Sequence, residues 1–229
     1  MEFIIIGIVI LISTIVLQYI FNYNRKKLEH IGEDEELDNL AKAYPSNMEI
    51  CKDYLKKLKN ENVKIEENTG AEASLYIAVT DKILIANIQD SYTRIQTIAH
   101  ECLHSIQDRK LLLFNFIFSN IYLIYFVITC ALLIFKILPY KIMFLVILLI
   151  LSMIYYTVRV YLENDAMIKA RYLAKEYMEE KKISSPEEIE KLVEGFDKIN
   201  TVGIKCINYH FFMEIMMKVF VFTTLCLIF

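Results

Sequence analysis

The sequence has no excess of positive charge. It contains 25 Lys and Arg against 28 Asp and Glu, which gives a formal net charge of −3. A protein that binds nucleic acid needs a basic surface, whereas the polar segments of this chain mix Lys and Glu as an ordinary solvated surface does. We therefore predict that nucleic acid is not a partner.

Cysteine is also scarce, and its spacing is not that of a metal or redox site. No Cys-x-x-Cys pair occurs, and Cys130 and Cys226 lie inside apolar runs, where a disulfide framework has no use. We interpret all five as small apolar residues: Cys51, Cys102, Cys130, Cys206 and Cys226. The sequence also lacks internal repeats and low-complexity segments.

Charged residues make up only 23% of the chain, while hydrophobic residues make up 56%. A soluble domain of this length does not bury so many apolar side chains. The apolar residues form four runs, each close to the roughly 20 residues that span a bilayer. These runs are 3–21, 111–135, 142–158 and 211–229, and the fourth carries Glu214 and Lys218. We predict about four transmembrane helices.

The basic residues predict how these helices are oriented. A basic cluster at 25–27 follows the first run, and Arg109 and Lys110 precede the second, whereas only Lys136 and Lys141 lie in the short loop between the second and third. By the positive-inside bias, both polar blocks are cytoplasmic and both termini lie outside. The first run begins Met-Glu-Phe rather than with basic residues, so we interpret it as an uncleaved anchor.

Local patterns predict the elements of the two polar blocks. A capping box at 46–49 opens an amphipathic helix that ends near Asn60 to Asn62, and β-prone runs at 74–79 and 82–87 predict a hairpin or a pair of extended segments. A helix is predicted from about Asp90 to Lys110, and another helical stretch opens at Glu163. The run Ser185-Pro186-Glu187-Glu188 predicts a further helix start.

The predicted helix at 90–110 contains the motif His-Glu-x-x-His. Residues four apart lie on one helical face, so His100 and His104 can reach one zinc ion, while Glu101 projects from the adjoining face toward the metal-bound water. Zinc lowers the pKa of that water to about 7, and the glutamate takes its proton as general base. By chance, this spacing of two histidines is expected in about one chain of this composition in every few hundred.

The apolar residues of the same helix lie on the other side. Ile98, Cys102 and Ile106 face away from the two histidines, which leaves a polar sector for the metal. A site of this type needs a third ligand. Glu163 is the leading candidate because it lies near the membrane surface, and Asp165 points about 200° away from it on a helix.

At these residues the chain resembles the neutral zinc metallopeptidases of bacterial membranes known as the YugP-like family, and more distantly the HtpX-type membrane gluzincins. The resemblance covers nearly the whole length, and its specific parts are the zinc helix ending in Ser105-Ile106-Gln107-Asp108 and the E-x-D-A segment that starts at Glu163. Two positions depart from the pattern. Cys102 stands where a small residue is usual, and Met167 stands where the HtpX type has an aspartate.

The resemblance implies a mainly α-helical membrane protein with a cytoplasmic α+β domain of the zincin (gluzincin) type, built from two polar blocks. It also implies one Zn²⁺ per chain on His100, His104 and Glu163, with Glu101 catalytic, and a peptide or membrane-protein substrate at the bilayer. The predicted parts are an anchor at 1–22, the first part of the catalytic domain at 23–110, a transmembrane hairpin at 111–161, the second part of the catalytic domain at 162–208, and a last transmembrane helix at 209–229.

Several roles stay open at this point. Asp108 or Asp165 could orient a zinc-bound imidazole, or either could be a solvated carboxylate. Tyr172, Arg171 and His210 are all available as donors to a transition-state oxyanion. The segment 74–87 is either a packed hairpin or an edge that holds a peptide by main-chain pairing.

Two other classes of function compete with the peptidase. An inactive zinc-binding scaffold or adaptor is the main alternative, and the retention of Glu101 favours an enzyme. A transporter or channel is disfavoured because the second and third apolar runs contain only uncharged polar groups.

Overall fold

The computed structural model describes residues 2–68, 70–71 and 73–229, and over these residues the protein is mainly helical. The helices described there are α1 Glu2–Gly32, α2 Glu35–Lys42, α3 Asn47–Lys57, α4 Arg94–His104, α5 Arg109–Ile134, α6 Lys141–Lys181 and α7 Pro186–Ile228. The strands are β1 Lys64–Glu67, β2 Leu75–Ile77 and β3 Lys82–Ile85.

Four helices are long and apolar enough to cross a membrane: α1, α5, α6 and α7. They contain 31, 26, 41 and 43 residues, whereas roughly 20 residues suffice to span the hydrocarbon core. The prediction of four candidate spans is therefore confirmed. These helices fit a membrane protein.

Two helices are longer than the sequence predicted. The third apolar run and the helical stretch expected to open at Glu163 form the single helix α6, because no glycine or proline interrupts residues 141–181. α7 is also a single helix, which continues from the second polar block through the last apolar run. Glu163 therefore lies inside a helix, and the expectation that it sits at a helix start is wrong.

The helix expected from about Asp90 to Lys110 is two helices. α4 begins at Arg94 and ends at His104, and a turn at 105–108 leads into α5. In this turn the N–H groups of Ser105, Ile106 and Gln107 donate to carbonyl oxygens three residues earlier, each at 3.2 Å. Such tightened bonds are typical of a helix end.

The helix starts predicted at Ser46 and Ser185 and the predicted hairpin are confirmed. Ser46 and Glu49 form a reciprocal capping box at the start of α3, and Ser185 and Glu188 form the same pair at the start of α7. β2 and β3 pair antiparallel, with Tyr76 opposite Ile83. The sequence did not predict that β1 is a strand; it lies parallel to β3 and gives the order β1–β3–β2. Beyond this small sheet, the described residues show no clear zincin domain.

The chain divides into two compact units. One, here called the apolar unit, comprises Met1–Asn24, Phe114–Tyr161 and Lys205–Phe229, and the other, the polar unit, comprises Arg25–Leu113 and Leu162–Ile204. In the apolar unit, Lys218 pairs with Glu214 one helical turn away, and the hydroxyl of Tyr155 donates to Glu214 Oε2 at 2.9 Å. The Lys218 ammonium also lies 4.9 Å from the centre of the Tyr122 ring. Charges inside an apolar segment need such partners.

The core of the polar unit surrounds α4. Ile98 and Cys102 are fully buried, as predicted, but Ile106 lies beyond the end of α4 and is 46% exposed. On the neighbouring helix, Tyr54 donates its hydroxyl hydrogen to the carbonyl oxygen of Ile95 at 3.2 Å. Gly195 of α7 completes this core, because a Cβ atom there would lie 2.8 Å from the Leu37 side chain.

Arg94 fixes the start of α4. Its side chain is fully buried, and its two terminal nitrogens donate to the carbonyl oxygens of Ala41, Tyr44 and Pro45 at 2.8 Å and to Asn47 Oδ1 at 3.0 Å. These acceptors lie at the end of α2, in the following turn and at the start of α3. One guanidinium therefore joins three helices, and it supplies charged donors to carbonyl groups at the end of one helix and in the turn before the next.

We expect Arg94→Met to destabilise the polar unit by roughly 2–5 kcal/mol, because buried carbonyls lose charged donors that contribute about 1.5–3 kcal/mol each. The measurement is hydrogen exchange in the detergent-solubilised protein, in which the backbone amides of α4 are expected to exchange faster in the variant. Arg25→Met is the matched control, since the pair that Arg25 forms with Glu29 is exposed. Equal α4 protection in both variants would contradict the assigned role of Arg94.

Candidate metal centre

Three potential metal ligands converge inside the polar unit. His100 and His104 lie one turn apart on α4, and their Nε2 atoms are 3.0 Å from each other. Glu163 of α6 places its Oε2 atom 3.5 Å from each of these nitrogens. The three side chains are only 17%, 11% and 20% exposed, so the group is largely shielded from water.

The spacing of these atoms fits a tetrahedral metal site. Zinc ligands lie about 2.0–2.1 Å from the metal, so neighbouring ligand atoms of a tetrahedron are roughly 3.3 Å apart. The observed distances of 3.0, 3.5 and 3.5 Å bracket that value. Two imidazoles and one carboxylate are also a donor set that catalytic zinc uses. A metal-free cluster of a protonated imidazole and a carboxylate has similar distances, and metal analysis distinguishes the two.

The ionised Glu163 carboxylate supplies negative charge of the kind that a bound cation requires. Burial alone would raise the pKa of Glu163, but the two imidazoles beside it lower the pKa well below its usual value, so the carboxylate is ionised. Burial alone would lower the pKa of His104, but Glu163, Glu101 and Gln107 raise it above its usual value. The two shifts are reciprocal, because Glu163 and His104 each favour the charged form of the other where water is largely excluded.

Glu101 lies beside this group and is 7% exposed. Its Oε1 atom is 4.0 Å from Nε2 of His100. Burial raises the pKa of Glu101 above its usual value, while the two imidazoles and a backbone hydrogen bond from Tyr76 oppose that rise. A shielded carboxylate next to a potential metal position is suited to accept a proton.

The sequence did not identify Gln107. Its Oε1 atom lies 2.8 Å from Nδ1 of His104, and its Nε2 atom donates to the carbonyl oxygen of Leu162 at 2.8 Å and to Asp165 Oδ2 at 3.2 Å. It thus occupies the position for which the sequence offered Asp108 or Asp165. Its spacing three residues after His104 was a usable signal, since such residues share a helical face.

The two aspartates have other contacts. The Asp108 carboxylate accepts a hydrogen bond from the N–H of Lys110 at 2.8 Å, at the start of α5. Among the described residues its hydrogen bonds include none to either imidazole. Asp165 accepts from the Gln107 amide, which in turn contacts His104. Over residues 2–68, 70–71 and 73–229, neither aspartate hydrogen-bonds to an imidazole, so of the two readings of each aspartate the geometry favours the one without direct contact.

The candidate oxyanion donors are only partly clarified by their contacts. Arg171 forms an ion pair with Asp197, and its guanidinium also lies 4.7 Å from the centre of the Tyr172 ring. Tyr172 is 58% exposed. His210 belongs to the apolar unit. We assign the oxyanion role to none of the three.

The strand β2 lies beside the candidate base. β2 is an outer strand of the sheet, since β3 separates it from β1, and the backbone of Tyr76 in β2 lies near enough to Glu101 to lower the pKa of its carboxyl group. One strand of the predicted hairpin therefore has both an edge position and a contact with the site.

Comparison with known proteins gives no relative: no family model, no curated protein and no solved structure matches this chain. The resemblance to the YugP-like and HtpX-type peptidases therefore stays a prediction.

We expect the purified protein to bind about one equivalent of zinc, and His100→Ala or Glu163→Gln to weaken zinc binding by more than the 10- to 100-fold typical of residues that only hydrogen-bond to a ligand. Asp165→Asn is the matched control, because it keeps an oxygen that can accept from Gln107. Zinc stoichiometry by elemental analysis and affinity by chelator competition are the measurements. Loss of zinc in Asp165→Asn with native affinity in Glu163→Gln would show that the wrong acid was assigned.

Proposed function

We propose that the protein is a membrane-embedded zinc endopeptidase, with His100, His104 and Glu163 as the zinc ligands and Glu101 as the general base. The observation that carries this proposal is the convergence of two imidazole nitrogens and a carboxylate oxygen from separate helices, with a shielded second carboxylate alongside. The proposed zinc-binding fold is of the gluzincin type, reduced to α4, the small sheet and the polar part of α6.

Bound zinc supplies Lewis-acid chemistry at this site, polarising a peptide carbonyl and lowering the pKa of water to about 7. Glu101 accepts the proton of the attacking water and delivers it to the leaving amine. Its burial favours both steps, because a raised pKa makes the carboxylate a stronger base and its protonated form a usable acid at neutral pH. Glu163 stays ionised and offsets part of the positive charge of the metal.

The substrate class that fits this site is an extended peptide segment, including segments of membrane proteins. β2 supports this view, because an outer strand next to the base offers backbone groups for main-chain pairing with a peptide. The alternative reading of β2 is an ordinary packed hairpin strand. The four apolar helices support a substrate that is itself at the bilayer.

The main alternative is a scaffold that binds zinc without hydrolysis. Both functions need the same three ligands, but only the peptidase needs a carboxylate that is placed to accept a proton. The position of Glu101, 4.0 Å from a ligand nitrogen and 7% exposed, favours the peptidase.

We expect Glu101→Gln to keep its zinc but to lower peptide hydrolysis by about 10²- to 10⁴-fold, because an amide cannot accept the proton of water. The measurements are zinc content and cleavage of a fluorogenic protein substrate by the detergent-solubilised enzyme. A comparison of membrane proteomes from cells with the native protein or Glu101→Gln then identifies substrates. Glu61→Gln is the control, since Glu61 is exposed. Undiminished hydrolysis in Glu101→Gln would overturn the assignment.

We further propose that the polar unit faces the cytoplasm, on the basis of the basic residues at 25–27, 109 and 110. Cysteines introduced at the exposed positions Glu61 and Glu187 are then expected to resist a membrane-impermeant thiol reagent in intact cells. A cysteine at the exposed Pro139 is expected to react. Labelling of position 61 or 187 from outside would refute this orientation, and permeabilised cells provide the control for reactivity.

A further inference from the structure

The amide of Gln107 contacts two helices at once. Its nitrogen end donates to α6, to Leu162 O at 2.8 Å and to Asp165 Oδ2 at 3.2 Å. Its oxygen end lies 2.8 Å from Nδ1 of His104, which α4 supplies. Leu162 directly precedes Glu163 in the chain. The amide therefore contacts one proposed ligand, His104, and the backbone beside another, Glu163.

The chemistry of these partners determines which way the amide faces. A backbone carbonyl accepts hydrogen bonds and never donates them, so the nitrogen end must point toward Leu162. Asp165 agrees with this orientation. The Asp165 carboxylate pairs with the Lys169 ammonium at 2.6 Å, and a carboxylate bound in this way accepts hydrogen bonds, so it too faces the nitrogen end of the amide.

The orientation of the amide in turn determines the tautomer of His104. With the nitrogen end committed to α6, the Gln107 oxygen faces the imidazole, and an amide oxygen only accepts. Nδ1 of His104 must therefore carry the hydrogen. In the neutral ring Nε2 then carries the lone pair, and Nε2 is the atom that lies 3.0 Å from His100 Nε2 and 3.5 Å from Glu163 Oε2.

The turn that carries Gln107 is held in place independently. The side-chain nitrogen of Asn60 donates to both the carbonyl oxygen and the hydroxyl of Ser105 at 3.0 Å. The Asp108 carboxylate accepts from Lys110 on the other side of the turn. The amide is therefore presented by a fixed backbone between α4 and α5.

We propose that Gln107 is a positioning residue for the metal ligands: it selects the His104 tautomer whose Nε2 is free to bind a cation, and it holds the Glu163 segment of α6 against the end of α4. This inference rests on the proposed zinc site. A histidine that binds a metal usually donates its other N–H to a carboxylate, a carbonyl or water. Here the Gln107 amide accepts that hydrogen from His104, and it also hydrogen-bonds to the backbone next to the ligand Glu163.

The first test removes both ends of the amide. Gln107→Leu is expected to weaken Zn²⁺ binding by about 10- to 100-fold in chelator competition, and to alter the visible spectrum of the Co²⁺-substituted protein. In the metal-free protein with ¹⁵N-labelled histidine, NMR in mildly alkaline buffer is expected to show the Nδ1–H tautomer of His104 in the native chain and a shift toward Nε2–H in Gln107→Leu. A merely structural role for Gln107 would not change the tautomer.

The second test exchanges donor and acceptor. Gln107→Glu keeps an oxygen for His104 but places a carboxylate against Asp165, so zinc binding is expected to weaken. Adding Asp165→Asn restores a donor–acceptor pair with reversed polarity, and the double variant is expected to recover part of the lost affinity. Asp165→Asn alone is the control. Recovery in the double variant distinguishes a specific hydrogen bond from general loss of packing.

The outcomes separate this inference from the proposed function. If the native protein binds no Zn²⁺ or Co²⁺, the proposed zinc site itself is refuted. If the native protein binds zinc and Gln107→Leu binds it equally well with an unchanged His104 tautomer, the role of Gln107 is refuted while the zinc site stands. If the double variant binds zinc no more tightly than Gln107→Glu, the proposed hydrogen bond between Gln107 and α6 is refuted.

Discussion

A carboxylate must stay ionised while most of its surface is removed from water, and the centre of the polar unit is built around this requirement. Glu163 is 20% exposed and lies 3.5 Å from two imidazole nitrogens. An ionised group in such a place needs cations or strong donors nearby, or it takes up a proton. The imidazoles lower its pKa, and the same concentration of donor atoms makes the site suitable for a metal ion. The position of α6 against α4 is thus an electrostatic as well as a packing arrangement.

The two imidazoles must be held close to Glu163, and α4 holds them there because it is fixed at both ends. At its start the buried Arg94 binds four acceptors, and just beyond its end Gln107 binds His104 and α6. Between them the fully buried Ile98 and Cys102 fill the opposite face. A short helix held in this way presents both imidazoles with little freedom, which is what a preorganised metal site needs.

In the apolar unit, too, charged side chains that are shielded from water have partners. Its charged residues Glu214 and Lys218 pair with each other on α7, and the Tyr155 hydroxyl and the Tyr122 ring give them further partners. Without those partners, two charges in a segment long and apolar enough to cross a membrane would be costly. Glu163 and Arg94 in the polar unit, and Glu214 and Lys218 in the apolar unit, thus each have a partner on another helix.

The sequence by itself determined what depends on near neighbours: the four long apolar helices, the capping boxes of α3 and α7, the β2–β3 hairpin, and two imidazoles one turn apart. These features follow from hydrophobic length, capping chemistry and helical period, which act within a few residues. The sequence offered Glu163 as a partner of the imidazoles, but only the tertiary structure decided that it meets them from inside α6, that β1 pairs with β3, and that Gln107 rather than Asp108 or Asp165 contacts His104. Each of these depends on contacts across 18 to 63 residues of chain or on where α4 ends, and local periodicity carries no information on how distant segments pack.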